Sequence, residues 1–161
     1  MAEVKTNPMR TLDRSGIAYT VHTYREDPKL TGAEIADMLG EDPDRVFKTL
    51  VTVTKDKRYN VFVVPVRKEL DLKKAAASVG EKSVSMMPAA QLLSVTGYVH
   101  GGCSPFCMKR PFVTVIDSSA MSGDILYVSA GKIGYQLELS VKDFLAVGDF
   151  KVADISREAS G

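Results

Sequence analysis

Hydrophobic and polar positions change period several times along this chain, and the changes mark out its elements. Asn7-Pro8 offers a capping side chain and a proline suited to a first helical turn, so a helix is expected to Arg14, stopped by Gly16. Ile17 to Tyr24 alternates with period two and places Thr20, His22 and Tyr24 on one face of a strand. Thr31-Gly32-Ala33-Glu34 has the form of a capping box, and its helix should run to Leu39 and end at Gly40. Val46 to Val53 reads as a strand with Phe47, Thr49, Val51 and Val53 on one face and Val46, Lys48, Leu50 and Thr52 on the other. Tyr59 to Val66 is apolar on both faces, as a strand central in a sheet would be.

Asp71 should cap a helix through Val79, Lys82 to Met87 is a further strand, and Pro88 opens a helix to Val95. Strands follow at Phe112–Ile116, Ile125–Ser129 and Tyr135–Leu139, then a helix capped by Ser140 and a last strand at Phe150–Ile155. Helices and hairpins are interspersed, which gives α/β class in its α+β form: a mixed sheet with helices packed on it, not a βαβ repeat. At 161 residues with 45% hydrophobic content, one domain over 1–161 is expected, with ends at about 1–6 and 156–161 frayed.

Composition narrows the partners. The formal net charge is +1 with no long run of one sign, so a nucleic acid would have to be held by a local basic patch. The two cysteines lie four apart in one loop and no secretory h-region opens the chain, which fits a reduced, cytoplasmic setting. No apolar run approaches membrane-spanning length, so no membrane partner is expected.

Two stretches carry candidate chemistry. In Gly97-Tyr98-Val99-His100-Gly101-Gly102-Cys103-Ser104-Pro105, the glycines allow positive φ and leave amides uncovered, and Pro105 keeps the loop out of helix. Such a loop either is a tight turn or aims the amides of Gly101 to Ser104 at an oxyanion, carbonyl or phosphate. Lys48 shares a largely apolar strand face, so it either snorkels to solvent or stands at a pocket mouth. As an ammonium it would hold a phosphate or polarise an ester carbonyl; as a desolvated amine it would accept a proton. His100, Cys103 and Cys107 fit no standard zinc spacing and lack a fourth ligand, so no metal is expected.

Phe47-Lys48-Thr49-Leu50, Leu70-Asp71-Leu72-Lys73-Lys74-Ala75-Ala76, Thr96-Gly97-Tyr98-Val99-His100-Gly101-Gly102-Cys103-Ser104-Pro105 and Tyr127-Val128-Ser129-Ala130-Gly131-Lys132 follow one another in order. In this the chain resembles the YbaK/EbsC family, free-standing relatives of the prolyl-tRNA synthetase editing domain, from about Asn7 to Ile155. The resemblance implies a curved, partly closed mixed sheet flanked by helices. It implies an aminoacyl-tRNA deacylase acting on the 3′-terminal aminoacyl-adenosine of a misacylated tRNA, Cys-tRNA(Pro) foremost, with prolyl-tRNA synthetase as a transient partner. In members that act on Cys-tRNA(Pro), the substrate's own thiol attacks its carbonyl and leaves as a thiolactone, with no catalytic serine, histidine, metal or cofactor.

By the same resemblance, Lys48, Gly101 and Gly102 would be catalytic, while Tyr24, Thr49, Cys103, Ser104, Pro105 and Ser129 would bind the substrate. Tyr24 reads equally as a half-buried strand aromatic, and Ser129 as an ordinary strand end. Thr49 alternates away from Lys48 and would have to act through its backbone or a strand twist. Lys73, Lys74, Lys109, Arg110 and Lys132 are tRNA-contact candidates, each of which is otherwise solvated surface. Leu30 or Thr31 stands where relatives carry an aromatic wall, which leaves open Ala-tRNA(Pro) or another misacylated tRNA as substrate. A non-catalytic module that binds aminoacyl-tRNA or a nucleotide would need the same lysine and loop.

Overall fold

The computed structural model describes residues 4–159. Strands β1 (Thr20–Thr23), β2 (Phe47–Val53), β3 (Tyr59–Pro65), β4 (Lys68–Leu70), β5 (Ser85–Met86), β6 (Val113–Asp117), β7 (Ile125–Ser129), β8 (Tyr135–Ser140), β9 (Phe150–Ala153) and β10 (Ser156–Glu158) alternate with five α-helices. The helices are α1 (Asn7–Arg14), α2 (Gly32–Leu39), α3 (Leu72–Ser78), α4 (Leu92–Thr96) and α5 (Val141–Val147). A five-stranded sheet has the order β5-β2-β3-β6-β9, with β3, β6 and β9 parallel and the β2 pairings antiparallel. A separate antiparallel sheet has the order β1-β8-β7. This is the mixed-sheet α+β class expected from the sequence. Among the described residues no helix is long and apolar enough to cross a membrane.

Alternation divides the core. Phe47, Val63 and Ile116 on one face of the large sheet pack with Leu126, Val128 and Leu137 of the small sheet, closed by Met9 and Leu12 of α1 and Phe144 of α5. Phe62, Val64 and Val115 on the opposite face pack under Ala75 and Ala76 of α3. β3 is buried on both faces because both of its faces are covered, which is what its unbroken apolar run called for.

Local signals explain most boundaries. Thr31 takes the N–H of Glu34 while Glu34 takes that of Thr31, and Gly40 ends α2 at φ 67°. The cap of α1 is Thr6, not Asn7: the Thr6 hydroxyl accepts from the Met9 amide, and Asn7 lies inside the helix. The described parts of both ends carry contacts of their own. Lys5 pairs with Asp13 at 2.9 Å, and Ser156–Glu158 forms an antiparallel strand on β4, which the sequence did not signal. Buried Asp117 holds that strand's entry by accepting the amides of Ile155 at 3.0 Å and Ser156 at 3.1 Å. The expected fraying of 1–3 and 160–161 lies outside the described residues.

Candidate functional site

The site forms where the two sheets fail to join. One edge of β2 is closed at its start by a bridge between Val46 and Tyr127 of β7. It is closed again at its end by the pairing of Thr52 and Val53 with β5, and by the Met87 amide on the Val51 carbonyl at 3.1 Å. Between these closures the edge is open at Lys48–Leu50, and a cavity of about 460 Å³ lies over it. Its walls come from the N-terminus of α2, the glycine loop, β7 and β8. A second cavity of about 400 Å³ between α1 and β1 is lined by Lys5, Asp13 and Tyr19. These three polar groups already satisfy one another there.

The open edge resolves the problem posed by alternation. Lys48 pairs with Val64 and shares the α3-side face with Leu50, while Thr49 pairs with Val63 on the other face. Both nevertheless line the cavity, because it wraps around a free strand edge. The Val51 carbonyl points to this edge, and alternation directs the Thr49 N–H and C=O the same way. The Thr49 hydroxyl is buried and has no hydrogen-bond partner among the described residues.

Lys48 is the one lysine or arginine that lines the cavity among the described residues. It is half-buried, and its amine makes no hydrogen bond or ion pair there. Burial pushes its pKa below the ordinary lysine value, while the charge of Glu69 opposes the shift. The ammonium is thus less well hydrated than that of an exposed lysine.

The glycine loop divides its labour. Gly101 lines the cavity at φ 87°, and its amide donates to no group among the described residues. Cys103 also lines the cavity, and its amide donates to no group among the described residues. Gly102 does not serve as expected: its amide donates to the Val99 carbonyl at 3.0 Å, so it is unavailable to an oxyanion. A Cβ on Gly102 would stand 3.1 Å from the Ile133 nitrogen, a tight contact that the turn would have to yield to. Ser104 and Pro105 are buried but do not line the cavity. The Ser104 hydroxyl accepts the Phe106 amide at 3.3 Å, and the Tyr98 hydroxyl donates to the Phe106 carbonyl, so this part of the loop is scaffold.

Tyr24 and Ser129 line the cavity as well. Burial raises the Tyr24 phenol. The Ser129 hydroxyl accepts from the Gly131 amide at 3.1 Å and keeps its own proton to donate. Leu30 and Thr31 both line the cavity. The Cys103 thiol is 8% exposed, and burial pushes it up to about 12, which makes it a poor nucleophile. Cys103 and Cys107 are both free thiols. No group of three or more His, Cys, Asp or Glu side chains could hold a metal among the described residues.

The basic candidates differ in their surroundings. Lys132 lies in the β7–β8 turn that packs on Gly102, with its amine over the Tyr135 ring. Lys109 packs its stem on Gly97 and donates to the Ser94 carbonyl at 3.4 Å, and Arg110 is exposed beside it. Lys73 and Lys74 sit on α3 and do not line the cavity, and Lys74 is paired with Asp154 at 3.1 Å. Sequence reasoning missed Tyr135 and Gln136 of β8, both cavity-lining. Gln136 alternates with core leucines and so reads as solvent-facing, yet it is 4% exposed.

The small α+β domain thus brings a lysine and a glycine loop together at one strand-edge cavity. Residues 26–147 match the family model described as the aminoacyl-tRNA editing domain. The chain is 38% identical over 153 residues, 94% of this chain and 93% of the relative, to a proposed Cys-tRNA(Pro)/Cys-tRNA(Cys) deacylase, EbsC, of Enterococcus faecalis. It belongs to the aminoacyl-tRNA editing domain family. The crystal structure of a hypothetical protein, APE2540, superposes with a TM-score of 0.83 at 24% identity, covering 92% of this chain and 97% of that one. A proposed trans-editing enzyme for prolyl tRNA synthetase superposes with a TM-score of 0.81 at 22% identity, covering 96% and 99%. At those identities the two structures establish a shared fold.

Proposed function

We propose that this chain is a trans-editing deacylase that releases the amino acid from misacylated tRNA, with Cys-tRNA(Pro) as its principal substrate and the substrate's thiol as nucleophile. Family membership and the EbsC relative support the reaction class. The observation that carries the mechanism is a cavity that holds Lys48 but no protein nucleophile bonded to a base: the Cys103 thiol is buried with its pKa raised, and the Ser129 hydroxyl makes no hydrogen bond to a base among the described residues. The Lys48 ammonium and the amides of Gly101 and Cys103 polarise the ester carbonyl. The substrate sulfur attacks the carbonyl carbon, the bond from carbon to the ribose oxygen breaks, and the thiol proton passes to that oxygen. The products are a cysteine thiolactone and a free tRNA 3′ end.

Thr49, through its edge-facing backbone, and Tyr24 and Ser129 hold the terminal adenosine. Lys132, Lys109 and Arg110 meet nearby phosphates, which contributes affinity without sequence reading. A balanced net charge of +1 leaves tRNA choice to a transient complex with prolyl-tRNA synthetase. The two free thiols suit action in the reducing cytoplasm.

The test uses 3′-labelled Cys-tRNA(Pro) with the wild-type chain and Lys48→Met. Release by the wild type that falls a hundredfold or more in the variant is expected, the typical loss on removing an electrostatic group from the reacting carbonyl. Binding without release by the wild type would overturn the reading in favour of a non-catalytic module.

A further inference from the structure

Gln136 carries an unmet hydrogen-bonding demand in the wall of the cavity. Its Nε2 donates to Glu41 Oε1 at 2.9 Å. A carboxylate only accepts, so this bond fixes which way the amide is turned and leaves Oε1 as the free end. That Oε1 is buried and has no hydrogen-bond partner among the described residues, although Gln136 lines the cavity at 4% exposure. Glu41 Oε2 is buried and unpartnered in the same way. Folded chains rarely leave such acceptors unmet, and two linked together mark a place that a donor fills.

We propose that Gln136 Oε1, held in place by Glu41, receives the α-ammonium group of the aminoacyl ester. The inference rests on the deacylase reading and deepens it. Both orphan atoms are acceptors, so they select a donor. The carboxylate behind the amide favours a positively charged donor over a neutral hydroxyl. The ammonium of an aminoacyl ester is such a group, separated from the reacting carbonyl by one carbon. Thr49 Oγ1, a third orphan, can donate or accept and so selects no charge.

The arrangement gives the substrate a direction: carbonyl toward Lys48 and the loop amides, ammonium toward β8. It also supplies a specificity rule that side-chain size cannot. A free α-amine is accepted, whereas an amine blocked by an acyl group, as in peptidyl-tRNA, loses the charge and the donor geometry and is rejected. The enzyme thereby spares growing chains that end in the same amino acid.

The experiment measures binding of an adenosine carrying cysteine through a 3′-amide, which cannot be cleaved, with its α-amine free or N-acetylated. The full chain and its Gln136→Leu and Glu41→Gln variants are compared, with melting temperature as the check on folding. The wild type should prefer the free amine by about tenfold or more, the worth of a hydrogen bond to a charged group. In Gln136→Leu the preference should shrink to within about threefold, and Glu41→Gln should reduce it in the same direction. Equal binding of the two analogues by the wild type overturns the proposal. So does a preference that survives in Gln136→Leu, because steric rejection of the acetyl group would persist there. Release of label from Cys-tRNA(Pro), measured in parallel, tests the deacylase reading separately: the analogue preference decides the ammonium site whether or not turnover is seen.

Discussion

Replacing Lys48 with methionine should raise stability while removing activity. The side chain is half-buried beside Leu50 and Val66 at the cavity, and its amine has no hydrogen-bond partner among the described residues to offset lost hydration. Burial lowers its pKa, so the charged form costs folding free energy at neutral pH, reduced by the attraction of Glu69. Methionine keeps the length and the apolar stem without the charge. Given the partial exposure, the gain should be about 1 kcal/mol, or roughly 2–4 °C in Tm for a domain of this size. The pH dependence has a defined sign. The folded pKa lies below the ordinary 10.5, so between the two values the unfolded chain binds the extra proton and wild-type stability rises with pH. The advantage of Lys48→Met is therefore complete at neutral pH and fades as pH climbs toward 10.5. Urea titrations of both proteins at neutral and alkaline pH, beside the deacylation assay, measure it. A variant less stable than wild type by 1 kcal/mol or more would refute the reasoning, because Lys48 would then be making a structural contact.

Three further outcomes follow from the geometry. Iodoacetamide near pH 8 should label the folded chain at exposed Cys107 and spare Cys103, whose thiol is held up to about 12; mass spectrometry showing equal labelling would contradict this. Gly102→Ala should destabilise by about 1–2 kcal/mol and slow deacylation, because its Cβ meets the Ile133 backbone nitrogen at 3.1 Å; an unchanged melting curve would show that the turn yields freely. Asp117→Ala should cost about 3 kcal/mol and deprotect the Ile155 and Ser156 amides in hydrogen exchange. Burial alone would raise the Asp117 carboxyl, but bonds from Ser119, Ile155 and Ser156 lower it overall, so its stabilisation is present above 3.8 and lost as pH falls through the folded value. A variant whose acid unfolding matches wild type would remove Asp117 from that role.

What the sequence disclosed was local. The Thr31–Glu34 capping box, the Gly40 stop and the two-sided apolar run of β3 are set by residues close in the chain, and each appears where expected. The family motifs identified Lys48 and Gly101, and the fold brings both to one cavity. What stayed hidden depended on partners distant in sequence. Thr49 lies on the face opposite Lys48, and only the gap between the Val46–Tyr127 bridge and β5 shows how both reach the same space. Adjacent glycines looked alike, yet Gly101 is needed for its φ of 87°, while Gly102 stands close to Ile133. Gln136 had the alternation of a solvent-facing residue, yet it is buried and bonded to Glu41, 95 residues away in sequence. Strands β4 and β10 are too short to show a period, and they exist because Asp117 and the β4 edge receive the C-terminal segment.

The central claim is that the substrate supplies the nucleophile. Single-turnover deacylation of Cys-tRNA(Pro), Ser-tRNA(Pro) and Ala-tRNA(Pro) by the intact chain tests it most directly, because serine has nearly the size of cysteine without the thiol. Rapid loss of the cysteinyl ester, with the seryl and alanyl esters slower by a hundredfold or more, is the predicted result. Comparable clearance of all three would contradict the account and assign the attack to water in a cavity that selects by size.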